Sequence, residues 1–208
     1  MISVFWILII RTPFSTWLRT TPIAIAFGVV LTKGEKTTNN VLIVDSKGKL
    51  LATYAKIHPF SFSGENNHYA GGNEICSCVY GEANIGLTIC YDLRFPEIFQ
   101  ALSQSCNLIL TIANWPERRV MHWTSLLQAR AIENQSFMVG VNRTGKDGNG
   151  HEYVKSSVIF DPAGIEISPI HSNHEMDIYD ISLTQVLSVR NAFPMKLDRK
   201  PDFYKTLL

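Results

Sequence analysis

The chain has 208 residues, of which 46% are hydrophobic and 18% are charged, and its formal net charge at pH 7 is +1. This length suits one well-packed domain, so we predict a single domain over residues 1–208. A net charge this close to zero gives no electrostatic reason to expect nucleic acid or an anionic membrane as a partner.

The chain opens with a dense apolar run, Met1–Ile10. The run is too short to span a bilayer as a helix, which takes about 20 residues. It also lacks the basic region and the small-residue cleavage site of a signal peptide. We interpret it as a buried strand or helix within an atypical start over residues 1–21.

The next segments carry strand and turn signals. The apolar, β-branched segment Pro22–Leu31 predicts a buried strand. Asn40–Val44 and Leu50–Tyr54 flank a polar, turn-rich segment and predict a β-hairpin. The glycine-rich and polar stretch 56–73 predicts a long ordered loop, and loops of that length in compact domains are usually functional.

The second half of the chain alternates apolar runs with helical patterns. Strands are predicted over residues 85–90, 106–113, 136–142 and 157–161, and helices over 96–103 and 120–135. This alternation, with hairpins at both ends, predicts an α/β fold with a mixed sheet. Residues 194–208 carry few helix or strand signals, so we expect a C-terminal arm.

The four cysteines do not form a disulfide pattern. Cys76 and Cys78 lie two residues apart, which places them on the same face of a strand. The chain has no C-x-x-C spacing of the kind that holds a metal ion. We therefore predict no metal site, and we expect a reducing, cytoplasmic environment.

Cys90 lies where a buried strand gives way to a turn, and Pro96 is well placed as the first residue of the following helix. A lone cysteine on an apolar strand is usually a small core residue. Attack on a carbonyl or nitrile carbon would require the thiol to lose a proton and the oxyanion to find a positive partner. Lys56, where the hairpin ends, is the candidate cation. Glu65, in the same loop, is a candidate to orient Lys56 or to relay a proton.

Seven segments occur in a fixed order and are more specific together than any one alone. They are Tyr54-Ala-Lys-Ile-His-Pro-Phe60, Gly64-Glu65, Ala70-Gly-Gly72, Cys90-Tyr-Asp-Leu-Arg-Phe-Pro96, Ala113-Asn-Trp-Pro116, Gln128-Ala-Arg-Ala-Ile-Glu-Asn-Gln135 and Gly140-Val-Asn-Arg143. From about residue 22 onward, the chain resembles the carbon–nitrogen hydrolase (nitrilase) superfamily. The Ala-Asn-Trp-Pro segment, the helix with Trp123 and the turn Gly145–Gly150 look most like its omega-amidase branch.

The resemblance implies a four-layer α-β-β-α sandwich with mixed sheets, assembled as a homodimer. It implies hydrolysis of a small linear amide, the omega-amide of a dicarboxylate mono-amide, with release of ammonia. The chemistry implied is that of a Cys–Glu–Lys triad without metal or cofactor.

The same resemblance implies roles for individual residues. By matching motif, Cys90 is the nucleophile that forms a thioester, and Lys56 stabilises the oxyanion. Glu65 matches an additional glutamate that positions the lysine and the substrate. The backbone N–H of Tyr91 would complete the oxyanion hole.

Further motif residues are candidates for the walls of the pocket. Arg94, Trp115 and Arg118 would shape it and pair with a substrate carboxylate, because a guanidinium binds a carboxylate through two hydrogen bonds. Arg130 and Glu133 lie three residues apart on the longer helix, where opposite charges can pair. We interpret that pair as structural.

One feature of the family has no visible counterpart. The family's general base is a glutamate well upstream of the lysine, but the only acidic residues before Lys56 are Glu35 and Asp45. Neither has the family's motif around it. We therefore expect an N-terminally incomplete fold in which Met1–Ile10 covers exposed core. Loss of a positioned base costs on the order of 10²–10⁴ in rate.

Three functional interpretations remain open. The first is an amidase, favoured if Lys56, Glu65 and Cys90 converge on one pocket. The second is a pseudoenzyme or a small-molecule binding protein that kept the fold, which the missing upstream glutamate favours. The third is a nitrilase or acyl-transferase variant of the same chemistry.

Overall fold

The computed structural model describes residues 8–11, 23–174 and 176–207. Its strands are β1 (Leu8–Arg11), β2 (Ile23–Lys33), β3 (Lys36–Val44), β4 (Leu50–Ala55), β5 (Cys76–Tyr80), β6 (Ala83–Ile89), β7 (Leu108–Ala113), β8 (Phe137–Asn142), β9 (Gly145–Lys146), β10 (Glu152–Tyr153), β11 (Val158–Phe160), β12 (His171–Ser172) and β13 (Asp177–Ile178). Its α-helices are α1 (Pro96–Leu102), α2 (Val120–Asn134), α3 (Thr184–Ala192) and α4 (Pro201–Tyr204).

Two sheets organise the chain. Strands β1 to β4 form an antiparallel sheet in chain order, and this sheet contains the predicted hairpin as β3 and β4. The second sheet has the order β11-β8-β7-β6-β5. Its three central strands are parallel, because α1 and α2 serve as crossovers, and its outer strands are antiparallel. The predicted α/β fold with a mixed sheet is confirmed.

Two apolar cores separate the layers. The first lies between the two sheets and includes Val41, Tyr54 and Leu110. The second lies between the second sheet and the helices α1 and α2, around Phe99 and Trp123. Strand β7 is buried at every residue because it is covered on both faces. The described residues therefore contain three layers, β-β-α, of the implied four-layer sandwich.

The outer helical layer over the first sheet is not seen among the described residues. Leu8–Ile10, the end of the apolar run, belongs to the edge strand β1 beside β2. Residues 1–7 and 12–22 lie outside the described residues. The N-terminal incompleteness, and the covering of core by the whole run, therefore stay predictions.

The C-terminal region contains elements that the sequence pattern does not reveal. Helix α3 buries a single residue, Val186, so it has no apolar stripe for a pattern to show. The expected arm at 194–208 contains a 3-10 turn, Met195–Asp198, and the short helix α4. Lys196 and Arg190 donate to the carbonyl oxygen of Ser103 at the end of α1, at 2.6 and 3.4 Å. Cations at a helix C-terminus satisfy its free carbonyl groups.

Among the helices in the described part of the chain, none is long and apolar enough to cross a membrane.

Candidate active site

Cys90 is held in an unusual backbone conformation. It follows the last residue of β6 and begins a 3-10 turn, Cys90–Arg94. Its φ angle is +49°, in the left-handed region that a residue with a side chain rarely adopts. Such a conformation costs on the order of 1–3 kcal/mol and persists where the surroundings enforce it, often at functional sites. The predicted strand therefore ends one residue earlier, and the thiol lies on the turn beyond it.

The thiol opens onto a recess at the carboxyl ends of the parallel strands, the usual place for a site in α/β folds. The recess has a volume of about 50 Å³ and is lined by Phe60, Cys90, Tyr91, Arg94, Asn114, Trp115, Pro116 and Arg119. Four of the predicted site residues, Cys90, Tyr91, Arg94 and Trp115, are thus brought together.

Arg118 is not brought into this recess. It is exposed in the 3-10 turn Glu117–Arg119 and lines a neighbouring cavity of about 260 Å³. The next residue, Arg119, takes the place in the recess that was expected of Arg118. The two side chains point differently because successive residues of a 3-10 turn lie about 120° apart.

Lys56 and Glu65 form a buried ion pair. Lys56 Nζ lies 2.5 Å from Glu65 Oε2, and the two side chains are 4% and 14% exposed. The carboxylate also accepts hydrogen bonds from the backbone N–H of Phe60 and the side-chain amide of Asn39, at 2.6 and 3.2 Å. Burial raises the pKa of Glu65, but Lys56 and these hydrogen bonds outweigh it and hold the pKa below its ordinary value. A carboxylate held in this way is suited to orient Lys56 and poorly suited to accept a proton.

The surroundings of Cys90 disfavour the thiolate form of its side chain. Burial raises the pKa of the thiol, the Lys56 ammonium lowers it, and the carboxylates of Glu65 and Asp92 raise it again. The net pKa lies above the ordinary value. Within the described residues, Cys90 Sγ has one hydrogen-bond partner, the carbonyl oxygen of Asn114 at 4.0 Å. No carboxylate from this part of the chain lies within hydrogen-bonding distance of the sulfur.

Asp92 was not predicted as a site residue, but its side chain links two parts of the site through hydrogen bonds. It is fully buried, and its Oδ2 accepts hydrogen bonds from the Tyr54 hydroxyl at 2.8 Å and the Ile89 N–H at 2.9 Å. Its Oδ1 lies 3.0 Å from the backbone nitrogen of His58 and 2.9 Å from that residue's Nδ1. Tyr54 and His58 stand on either side of the lysine, and Ile89 precedes the thiol. Asp92 therefore fixes the lysine segment against the cysteine turn.

Gly72 lets another segment approach the lysine. Its N–H donates to the carbonyl oxygen of Lys56 at 2.8 Å. A Cβ atom at Gly72 would collide with the carbonyl oxygen of Ala55. The second glycine of the Ala-Gly-Gly segment is therefore explained by packing, because only a residue without a Cβ atom permits this close backbone contact.

Polar side chains also fix the tryptophan wall of the recess. The side-chain oxygen of Asn142 accepts a hydrogen bond from the backbone N–H of Trp115 at 2.7 Å, and its side-chain NH₂ donates to the backbone carbonyl oxygen of Trp115 at 2.8 Å. The Trp115 indole N–H donates to the carbonyl oxygen of Arg119 at 2.7 Å. The predicted pairing of Arg130 with Glu133 is present at 3.1 Å, which agrees with a structural role.

The sequence profile of the Carbon-nitrogen hydrolase family matches residues 11–191. The chain belongs to this family. An omega-amidase, YafV, of Yersinia enterocolitica is 37% identical over 189 residues, which cover 88% of this carbon–nitrogen hydrolase and 73% of the relative. A 2-oxoglutaramate amidase of Bacillus subtilis (strain 168) is 32% identical over 181 residues, covering 86% of this chain and 70% of that one.

A solved structure confirms the carbon–nitrogen hydrolase fold. A CN-hydrolase superfamily protein of Xanthomonas campestris, solved with an arsenic adduct in its active site, has a TM-score of 0.76 and 34% identity to this chain. The match covers 83% of this chain and 68% of that one. This chain likewise covers only 65% to 73% of the length of the first curated relatives.

Neither acidic residue that precedes Lys56 in this carbon–nitrogen hydrolase is placed as a base. Glu35 lies in the exposed turn between β2 and β3. Asp45 lies in the turn between β3 and β4, where its carboxylate accepts hydrogen bonds from the backbone N–H groups of Lys47 and Lys49. That turn is at the far end of β3 from the lysine, whose N–H bonds to the carbonyl oxygen of Asn39.

Proposed function

We propose that this carbon–nitrogen hydrolase cleaves the C–N bond of a small linear amide, the omega-amide of a dicarboxylate mono-amide, through a thioester on Cys90. The observation that carries the proposal is the left-handed turn that presents Cys90 to the recess, with the buried Lys56–Glu65 pair close enough to act on the pKa of its thiol. The relatives described as an omega-amidase and as a 2-oxoglutaramate amidase support the substrate class.

In the proposed reaction, the Cys90 sulfur attacks the amide carbonyl carbon as the thiol proton departs. Negative charge then develops on the carbonyl oxygen. The Lys56 ammonium stabilises this oxyanion together with the N–H of Tyr91, since the first N–H groups of a helical turn have no partner within the turn. Collapse of the intermediate breaks the C–N bond, and the leaving nitrogen takes up a proton and departs as ammonia. Water then hydrolyses the thioester to the carboxylic acid and the free thiol.

Proton transfer is the demanding step. The thiol pKa lies above its ordinary value, and Glu65 is held ionised by Lys56. With the carboxylates of the described residues alone, we expect amide turnover on the order of 10²–10⁴ slower than with a positioned base. The same observation favours the second candidate function, binding of the amide without turnover.

Ammonia and succinate production from succinamic acid, the mono-amide of a four-carbon dicarboxylate, tests the proposal. We expect the purified protein to release both products in equal amounts over time. Saturable binding of succinamic acid with neither product would identify the binding-protein alternative. Faster ammonia release from the corresponding nitrile than from the amide would identify the nitrilase variant.

We further propose that the protein is a cytoplasmic homodimer. All four cysteines are free, which fits a reducing compartment. Large apolar side chains are exposed near the C-terminus, where a second copy would cover them: Phe193, Leu197, Phe203 and Leu207. Light scattering that reports twice the mass of one chain would support the dimer, and the mass of a single chain would reject it.

A further inference from the structure

Two guanidinium groups line the recess together with the thiol. Arg94 lies over the ring of Trp115, at 4.9 Å from its centroid, and Arg119 lies over the ring of Phe60, at 5.4 Å. Both line the recess that Cys90 opens onto. A guanidinium that rests on an aromatic face keeps its in-plane N–H groups available, and these are the groups that bind a carboxylate.

Neither arginine has an acidic partner in the part of the chain that the structure describes. No Asp or Glu oxygen from these residues lies within 4.0 Å of either guanidinium. Arg94 contacts Nδ1 of His122 at 3.4 Å. Burial lowers the pKa of Arg119, and the like charges of Arg118 and Arg94 lower it further. A bound anion would offset both the burial and the repulsion, which is what an anion site requires.

Arg119 is also held at a fixed point of the wall. Its carbonyl oxygen accepts the Trp115 indole N–H at 2.7 Å, and its own N–H donates to the carbonyl oxygen of Pro116 at 3.0 Å. Its neighbour Arg118 is exposed and faces the second cavity. Only one of the two adjacent arginines is therefore placed to meet a ligand bound at the thiol.

We propose that Arg119, assisted by Arg94, binds the carboxylate of the substrate and makes the recess selective for anionic amides over neutral ones. The proposal rests on the proposed function for the identity of the reaction, but the anion site does not itself require turnover. Cys90, Arg94 and Arg119 line the same recess of about 50 Å³, so a short chain between the carboxylate and the amide is enough to bring both groups to these residues.

Alkylation of Cys90 tests the anion site without catalysis. Iodoacetate and iodoacetamide are similar in size and differ in charge, and peptide mapping reports the rate at Cys90 alone. In the parent, we expect the iodoacetate-to-iodoacetamide rate ratio to exceed that of the urea-unfolded chain. Arg119→Gln should lower the ratio on the order of 10-fold, since it removes a nearby charge of opposite sign. Arg119→Lys, which keeps the charge, should retain most of it.

Arg118→Gln is the matched control, because it removes an adjacent positive charge outside the recess. Its rate ratio should stay at the parental value. An unchanged ratio in Arg119→Gln, or an equal fall in Arg118→Gln, would overturn the proposal.

Turnover supplies a second measurement. Arg119→Gln should raise KM for succinamic acid roughly 10- to 100-fold, the value of a hydrogen bond to a charged group. Its kcat/KM for butyramide, a neutral amide of the same length, should fall much less than its kcat/KM for succinamic acid. Equal losses with both amides would show a structural role and overturn the proposal. Absence of ammonia release by the parent would refute the proposed function, while the alkylation ratio would still decide the anion site.

Discussion

Cys90→Ala is expected to lower the rate of ammonia release from succinamic acid by at least about 10³-fold, since removal of a catalytic nucleophile has effects of this size or larger. Alanine has no group that can form the acyl intermediate, so only attack by water remains. The change removes one sulfur atom from the lining of the recess and leaves the turn held by Asp92. The unfolding midpoint in urea should therefore stay close to the parental value.

Cys78→Ala is the matched control for this variant. Cys78 is a half-buried cysteine on β5 and does not line the recess. Its replacement should leave ammonia release near the parental rate. A Cys90→Ala variant that retains more than about a tenth of the parental rate, against the 10³-fold loss expected for a nucleophile, would rule out thioester chemistry at this position.

Lys56→Met is expected to reduce both activity and stability. Loss of the positive partner of the oxyanion should lower kcat on the order of 10²–10³-fold. It also leaves Glu65 buried without its cation, which should lower the free energy of unfolding by about 3–5 kcal/mol. Ammonia release and urea denaturation measure the two effects on the same sample.

The double variant Lys56→Met/Glu65→Gln separates the two effects. Neutralising both partners removes the unpaired buried charge, so most of the lost stability should return. Activity should not return, because the cation is still missing. A double variant as unstable as Lys56→Met, or one that regains activity, would contradict the assigned role of the pair.

The stabilising contribution of Glu65 to the free energy of unfolding is expected to depend on pH. The pKa of Glu65 is lower in the folded chain than in the unfolded one. Its stabilising contribution is therefore present above the unfolded carboxyl pKa and is lost as the pH falls through the folded pKa. In the same urea experiments, the stability difference between the parent and Glu65→Gln should shrink on acidification.

The fold was largely predictable because its signals are local. Strands β6, β7 and β8 are apolar runs, and the apolar positions of α2 recur at helical spacing, so the parallel sheet and its crossovers follow from period and length. Helix α3 was missed for the opposite reason. It buries one side chain and is held at the end of α1 by Arg190, a contact between residues far apart in the chain.

Site residues could be predicted where a sequence motif identifies one position. They could not be predicted where two adjacent residues differ only in the direction of their side chains. The motifs point to Cys90, but they do not say which of Arg118 and Arg119 faces the thiol, because that depends on the direction of one 3-10 turn. Asp92 is similar. Its role depends on donors from the segment of Tyr54 and His58, more than 30 residues away in the chain. Its only signal in the sequence is an acidic residue in an apolar setting, which must be satisfied if buried.

The most direct measurement is the mass of the protein quenched in acid during its reaction with succinamic acid. A thioester mechanism requires a fraction of the chain to gain the mass of one succinyl group, on the peptide that carries Cys90, with the ammonia released equal to the sum of adduct and succinate. Hydroxylamine should remove the adduct, because it cleaves thioesters. Ammonia release that continues in Cys90→Ala, with no acyl group on the parental chain, would contradict the mechanism.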